Sequence, residues 1–300
     1  MDFSGIYEEE SVDSKLIKSK YVEKSIPVKL KNYLSSVPGM PSWDFSYLSD
    51  ILGERQLALK DFKKDGSIQV VNTPAKEYIA SLLAYEKNLA GASEGGLEIE
   101  RPLYCHDIPI FEIAKDLIDD VRGVDAAFLP SWYRQAWWKY AQFFMSPTSS
   151  VTPLHFDTLL THNMFFQVYG KKEFIIMPHS ASNYCYRHKW RWFQVDPTKP
   201  DLQSFPEYQK AHVQKVILEA GDVLYMPPGT LHHVTTIDAS ISFNVDFHTP
   251  KSALKSFSGL LRGMPKENAY YNFILFLGLI FKVPSNRLFP YYRSYLNYIS

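Results

Sequence analysis

The chain is poor in cysteine, with only Cys105 and Cys185 among 300 residues. That excludes a disulfide framework and fits a reducing compartment, with one bridge at most. It has no excess of either charge: Lys+Arg and Asp+Glu both number 32. A neutral balance of this kind offers no footprint for nucleic acid. Long apolar runs are missing too. The greasiest stretch, Phe273 to Phe281, is far short of the ~20 residues that span a bilayer, so no transmembrane segment is expected. The first residues, Met1-Asp2-Phe3-Ser4-Gly5 and then Glu8-Glu9-Glu10, lack the cationic start and apolar core of a signal peptide. A cytoplasmic location is the expectation. No internal repeat and no low-complexity tract stands out.

What is present is apolar mass. Hydrophobic residues make up 46% and aromatics 15%, enough for a large core and against disorder. The length fits one large domain, or a domain with an appendage. Residues 1–21 read as a loose polar arm. Residues 22–250 read as the main domain. Helix-like spacing appears at Ile79, Leu82, Leu83 and Tyr85, and again from Phe111 to Val121. Between these, 90–96 is a Gly-rich loop. From Trp132 to about Thr249 the pattern is short strands and turns. A long insert, 178–212, interrupts it with Tyr184, Tyr186, Trp190, Trp192 and Phe193 among Arg187, His188, Lys189 and Arg191. Its aromatics cover one side of the domain, or they form a binding wall. Residues 251–300 read as helices. One, around 273–281, is apolar all round and must be buried, against a second copy of the chain, against its own domain or in an interfacial membrane contact.

Two segments carry chemistry. The first is Thr152-Pro153-Leu154-His155-Phe156-Asp157, the only His-x-Asp in the chain. On a strand, residues two apart face the same way, so His155 and Asp157 converge while Phe156 packs behind. The second runs Gly221-Asp222-Val223-Leu224-Tyr225-Met226-Pro227-Pro228-Gly229-Thr230-Leu231-His232. It reads as turn, strand, turn and a strand carrying His232. His233 falls on the opposite face. Two imidazoles and one carboxylate are the ligand set of a mononuclear iron(II) oxygenase, which leaves coordination positions open.

These segments resemble the JmjC/cupin-like family of iron(II), 2-oxoglutarate-dependent oxygenases. The nearest likeness is to the asparaginyl-hydroxylase-like branch that includes factor inhibiting HIF. It extends over about 22–250, through Pro27 to Lys31, Trp43 to Leu48, and Gln194-Val195-Asp196-Pro197 with Phe205-Pro206. The second cupin motif usually continues with Asn four residues after its His; here Thr236 stands there.

The resemblance implies a double-stranded β-helix, a mainly β jelly-roll barrel with flanking helices. It implies that His155, Asp157 and His232 hold Fe(II). It implies that Lys172 binds the far carboxylate of 2-oxoglutarate, supported by Tyr104 and Thr152, with Asn163 and Asn244 near the metal-bound end. Read without it, Lys171 or Lys172 is a strand-edge lysine reaching solvent. The implied activity is hydroxylation of a substrate C–H bond using O2, with release of succinate and CO2. The substrate is a protein or peptide side chain, or an amino-acid-like small molecule. Relatives use C-terminal helices to dimerise, so a homodimer is expected. One departure limits the carry-over. Two extra residues separate Asp157 from Asn163, in a loop that often touches substrate. The alternative reading is a metal-binding cupin-type sensor, or a metalloenzyme that does not use 2-oxoglutarate.

Overall fold

The computed structural model describes residues 6–10, 13–62, 68–91 and 100–297. The loop expected at 90–96 lies, from residue 92 onward, outside the described residues. Thirteen strands form one connected, mainly antiparallel sheet. They are β1 (Tyr7–Glu10), β2 (Val28–Lys31), β3 (Gln56–Phe62), β4 (Ile68–Pro74), β5 (Tyr104–Ile108), β6 (Ala141–Ser146) and β7 (Val151–His155). There follow β8 (His162–Met177), β9 (Arg187–His188), β10 (Trp192–Phe193), β11 (Gln214–Leu218), β12 (Val223–Met226) and β13 (Leu231–Phe247). The main path runs β1-β2-β12-β8-β13-β6-β5-β3-β4, with only β1 and β2 parallel.

β8 and β13 are 16 and 17 residues long, well beyond the short strands expected. Each bends at its middle, so that the one connected sheet folds into two facing layers. The first half of β8 pairs with β12 and the second half of β13; its second half pairs with β11 and the first half of β13. The change occurs at Gly170, whose φ is +71°. A Cβ there would come within 2.0 Å of the Ala239 carbonyl oxygen, so only glycine allows the strands to cross so closely. The β8–β13 register shifts at this bend. The shift rephases β8. Asn163 and Phe165 face the barrel interior before the bend, and Lys172, Phe174 and Ile176 face it after.

Period-two alternation divides the apolar residues into layers. Phe143 and Met145 on β6, Met164 and Phe166 on β8, and Ile241, Phe243 and Val245 on β13 pack outward against the helices as the main core. Their neighbours Phe144, Phe165, Phe174 and Val234 form a smaller interior cluster with Tyr104. On the other layer, Ile175, Met177 and Leu231 meet Trp190, Phe193 and Tyr208 of the 178–212 insert. The insert aromatics do cover one side of the barrel.

Two regions differ from expectation. Residues 14–21, read as part of a loose arm, lie in a short helix, Ser14–Ile17, and a π-helical turn, Lys18–Val22. Ile17 and Tyr21 drive this by entering the main core. The helix expected over 111–121 is two short ones, Ile110–Ile113 and Leu117–Val121, because Ala114 is extended between them. The C-terminal helices join the main core through Ala253, Leu275, Leu279, Leu288 and Tyr292. Gly278 seats that helix on Trp132; an added Cβ would lie 2.3 Å from the indole. No described helix is long and apolar enough to cross a membrane.

Candidate metal and cosubstrate site

The site lies between the two layers of the folded sheet. β7 ends at His155, so Asp157 sits in the turn after the strand rather than on it. The Asp157 carbonyl accepts from Leu160 N at 2.8 Å. His232 is the opposite number of His155 on β13, yet Val234 pairs with Thr152. β7 therefore carries one extra residue between these pairs, a bulge. Exposed Pro153 sits there, where a strand can do without an N–H. The bulge turns Thr152 to the same side as His155.

His155, Asp157 and His232 offer ligand atoms that all lie within 4.8 Å of one another. His232 Nε2 is 3.7 Å from Asp157 Oδ1. Both imidazoles are fixed from behind: Nδ1–H of His155 donates to the Pro153 carbonyl at 2.7 Å, and Nδ1–H of His232 to the Thr230 carbonyl at 3.1 Å. That tautomer leaves Nε2 with its lone pair free toward the third ligand. Burial, and then His232 beside it, push the His155 pKa well below its usual value. A neutral ring is the ligating form. The turn before His232 depends on Gly229, φ +75° after Pro228, a type II geometry. His233 points away; it does not line the pocket.

Of the remaining residues singled out in the sequence, the structure brings Tyr104, Thr152, Asn163, Lys172 and Asn244 to the same pocket. Lys172 is fully buried. Its Nζ donates to Tyr104 Oη at 2.7 Å and lies 5.0, 5.6 and 5.7 Å from the rings of Tyr104, Phe144 and Phe165. Among the described residues no carboxylate pairs with it. Burial pulls its pKa down to about 7. Asn163 touches a candidate ligand: its Nδ2 donates to Asp157 Oδ2 at 3.2 Å, leaving Oδ1 of Asp157 toward His232. Asn244 Nδ2 donates to Asp246 Oδ1 at 3.3 Å.

Sequence reasoning missed several pocket residues: His106, Asp107, Gln142, Asp246 and Tyr295. Period two on β13 could have found Asp246, which follows Asn244 by two. Asp107 could not be found this way. It lines the pocket together with His106 because β5 bulges there and Asp107 takes a left-handed φ of 54°. Burial alone would raise the Asp107 pKa, but His106 at 3.0 Å and Lys60 at 3.8 Å hold it well below the usual range. Burial, then Asp157 and Asp107, push the Asp246 carboxyl well above it. Arg191 lines the pocket with its guanidinium 4.4 Å over the Trp192 ring, and Trp192 packs on His155.

The C-terminal segment reaches the same place. Asn268 Nδ2 donates to Thr158 Oγ1 at 2.7 Å, and Asn272 Nδ2 to the Leu159 carbonyl at 3.3 Å. Both brace the turn that follows Asp157. Tyr295 then returns to the pocket wall.

A family model, the cupin-like domain, matches residues 14–253. The lysine-specific demethylase JMJ30 of Arabidopsis thaliana is 26% identical over 227 residues, covering 74% of this chain and 50% of that protein. The Jumonji C domain-containing protein 5 of Drosophila melanogaster is 25% identical over 243 residues, 76% of this chain and 56% of that one. The 2-oxoglutarate and iron-dependent oxygenase JMJD4 of Gallus gallus is 26% identical over 215 residues, 67% of this chain and 48% of that one. The chain spans about half the length of these relatives.

Proposed function

We propose that this chain, which belongs to the cupin-like domain family, is an Fe(II)- and 2-oxoglutarate-dependent oxygenase acting as a hydroxylase. The observation that carries the reading is Lys172. A buried ammonium with no carboxylate partner is costly. It is tolerated where a ligand supplies the anion. It shares one pocket with a His-Asp-His set whose Nε2 atoms are held free. Both halves of the site therefore fit iron and 2-oxoglutarate, the two groups in the name of the Gallus gallus relative.

His155, Asp157 and His232 would hold the iron. Asn163 orients Asp157 by occupying its second oxygen. Lys172, with Tyr104 and Thr152 beside it, would hold the far carboxylate of 2-oxoglutarate as a compact point charge. When bound, metal, cosubstrate and O2 supply the oxidising chemistry that places a hydroxyl on a substrate C–H bond, releasing succinate and CO2. The rings of Phe144, Phe165 and Phe174 keep water from the Lys172 end. The substrate is a protein or peptide side chain, or an amino-acid-like small molecule.

The C-terminal helices also leave an apolar outer face, with Leu261, Phe273 and Phe281 exposed. This supports a homodimer built through that face. The two buried free cysteines support a cytoplasmic location.

The test is succinate formation from 2-oxoglutarate by protein loaded with Fe(II), with His155→Ala as comparison. The wild type should turn over. The variant, with its fold verified by circular dichroism, should fall to background. Unchanged turnover in the variant would overturn the assignment.

A further inference from the structure

Nearly every ionisable side chain lining the pocket has a partner or a task. Asp107 is matched by His106 and Lys60. Asp157 stands with the two histidines, and Lys172 faces the cosubstrate end. Two groups are left over, Arg191 and Asp246, a guanidinium and a carboxyl on one pocket wall. Among the described residues neither makes an ion pair, with the other or with anything else. Arg191 Nε is buried without an acceptor, and the guanidinium rests on the Trp192 ring. Asp246 is 3% exposed, and its single hydrogen bond comes from Asn244. Asn244 Oδ1 beside it is buried without a donor.

Buried polar atoms without partners, such as Arg191 Nε and Asn244 Oδ1, are retained where a ligand completes them. A polypeptide substrate enters such a pocket with one side chain. A basic side chain would satisfy Asp246 and leave Arg191 bare; an acidic one would do the reverse. A free α-amino acid carries both charges on one small molecule. Its carboxylate matches the planar fork of a guanidinium. Its ammonium has three donors, and Asp246 with Asn244 Oδ1 offers acceptors side by side on β13. We propose that the pocket binds a small zwitterion of the free α-amino-acid class, Arg191 receiving the carboxylate and Asp246 the ammonium. Tyr295 also lines the pocket wall. The proposal rests on the oxygenase reading of the same site.

The experiment uses the full chain loaded anaerobically with Fe(II) and 2-oxoglutarate, so that a visible charge-transfer band reports the parent reading. The twenty free L-amino acids are then titrated by calorimetry, followed by the N-acetyl and the amide forms of any that bind. At least one free amino acid should bind. Blocking either end should weaken it at least about 30-fold. In Asp246→Asn the penalty for acetylation should vanish while that for amidation stays; Arg191→Gln should show the converse. A merely damaged pocket would not give this crossed pattern. Failure of all twenty to bind protein that shows the band overturns the proposal and leaves the oxygenase reading standing. Equal or tighter binding of a doubly blocked amino acid or a short peptide also overturns it. A missing band overturns the oxygenase reading, and the calorimetry still decides whether a zwitterion site exists.

Discussion

Two parts of one pocket are built on different principles. The Lys172 part is dry and aromatic, and it holds a single charge: an ammonium among Tyr104, Phe144 and Phe165. The part around Asp157 is crowded with polar groups from β5, β8, β13, the insert and the C-terminal segment. The first is one charge awaiting one anion. The second is a network in which each group orients another, as Asn163 does Asp157 and Asn244 does Asp246. A single buried charge concentrates its effect on one ligand; a network spreads it.

The sharpest way to break this contrast is Lys172→Met. It should weaken 2-oxoglutarate binding at least about 100-fold, measured by calorimetry, because the cosubstrate would bury a carboxylate unpaired. The same variant should be more stable than wild type by about 1–3 kcal/mol in denaturant melts, since an apolar side chain removes an unpaired buried charge. Loss of both affinity and stability would mean that Lys172 is structural. Asn163→Ala probes the network. It should lower metal affinity by about 10–100-fold, read by competition with a chelator, while 2-oxoglutarate affinity of the metal-saturated protein changes little.

The third probe is pH. Burial lowers Lys172 from 10.5 to about 7. Only the ammonium pairs with the dianion, so 2-oxoglutarate affinity should fall as pH rises through about 7, by about tenfold per unit at its steepest. Stability of the ligand-free fold should move the other way. The unfolded chain keeps that proton up to 10.5 and the folded one loses it near 7, so this group makes folding more favourable as pH rises between those values. A flat affinity profile from pH 6 to 9 would contradict the assignment. The smallest effect is expected from Tyr295→Ala, which should leave 2-oxoglutarate affinity within about twofold while altering the substrate side of the pocket. A large loss of cosubstrate binding would show the two parts to be one.

How much was legible in the sequence follows the same divide. The Lys172 part rests on local signals: the His155-Phe156-Asp157 strand end, the turns of the Gly221 to His232 segment, and the resemblance that these carry. Each depends on residues close in sequence to the one it places. The rest depends on long-range folding. Arg191 reaches the pocket because the 178–212 insert lays β10 beside β7. Tyr295 arrives because the C-terminal helices fold back and join the main core. No spacing rule encodes either path. Asp246 lies between the cases: its strand and face were readable, but its lack of a cation is a property of the assembled pocket. The ordered segment 14–21 was misread for a related reason, since its charged surface residues conceal Ile17 and Tyr21, which only the barrel explains.

The most direct test is an anaerobic titration of the metal-free protein with Fe(II) and then 2-oxoglutarate, in wild type and in Lys172→Ala. The account predicts a visible charge-transfer band in the wild type at stoichiometric metal, and in the variant a band that appears only at about 100-fold more 2-oxoglutarate. Tight iron binding with no band in the wild type, or an equal band in both proteins, would contradict it.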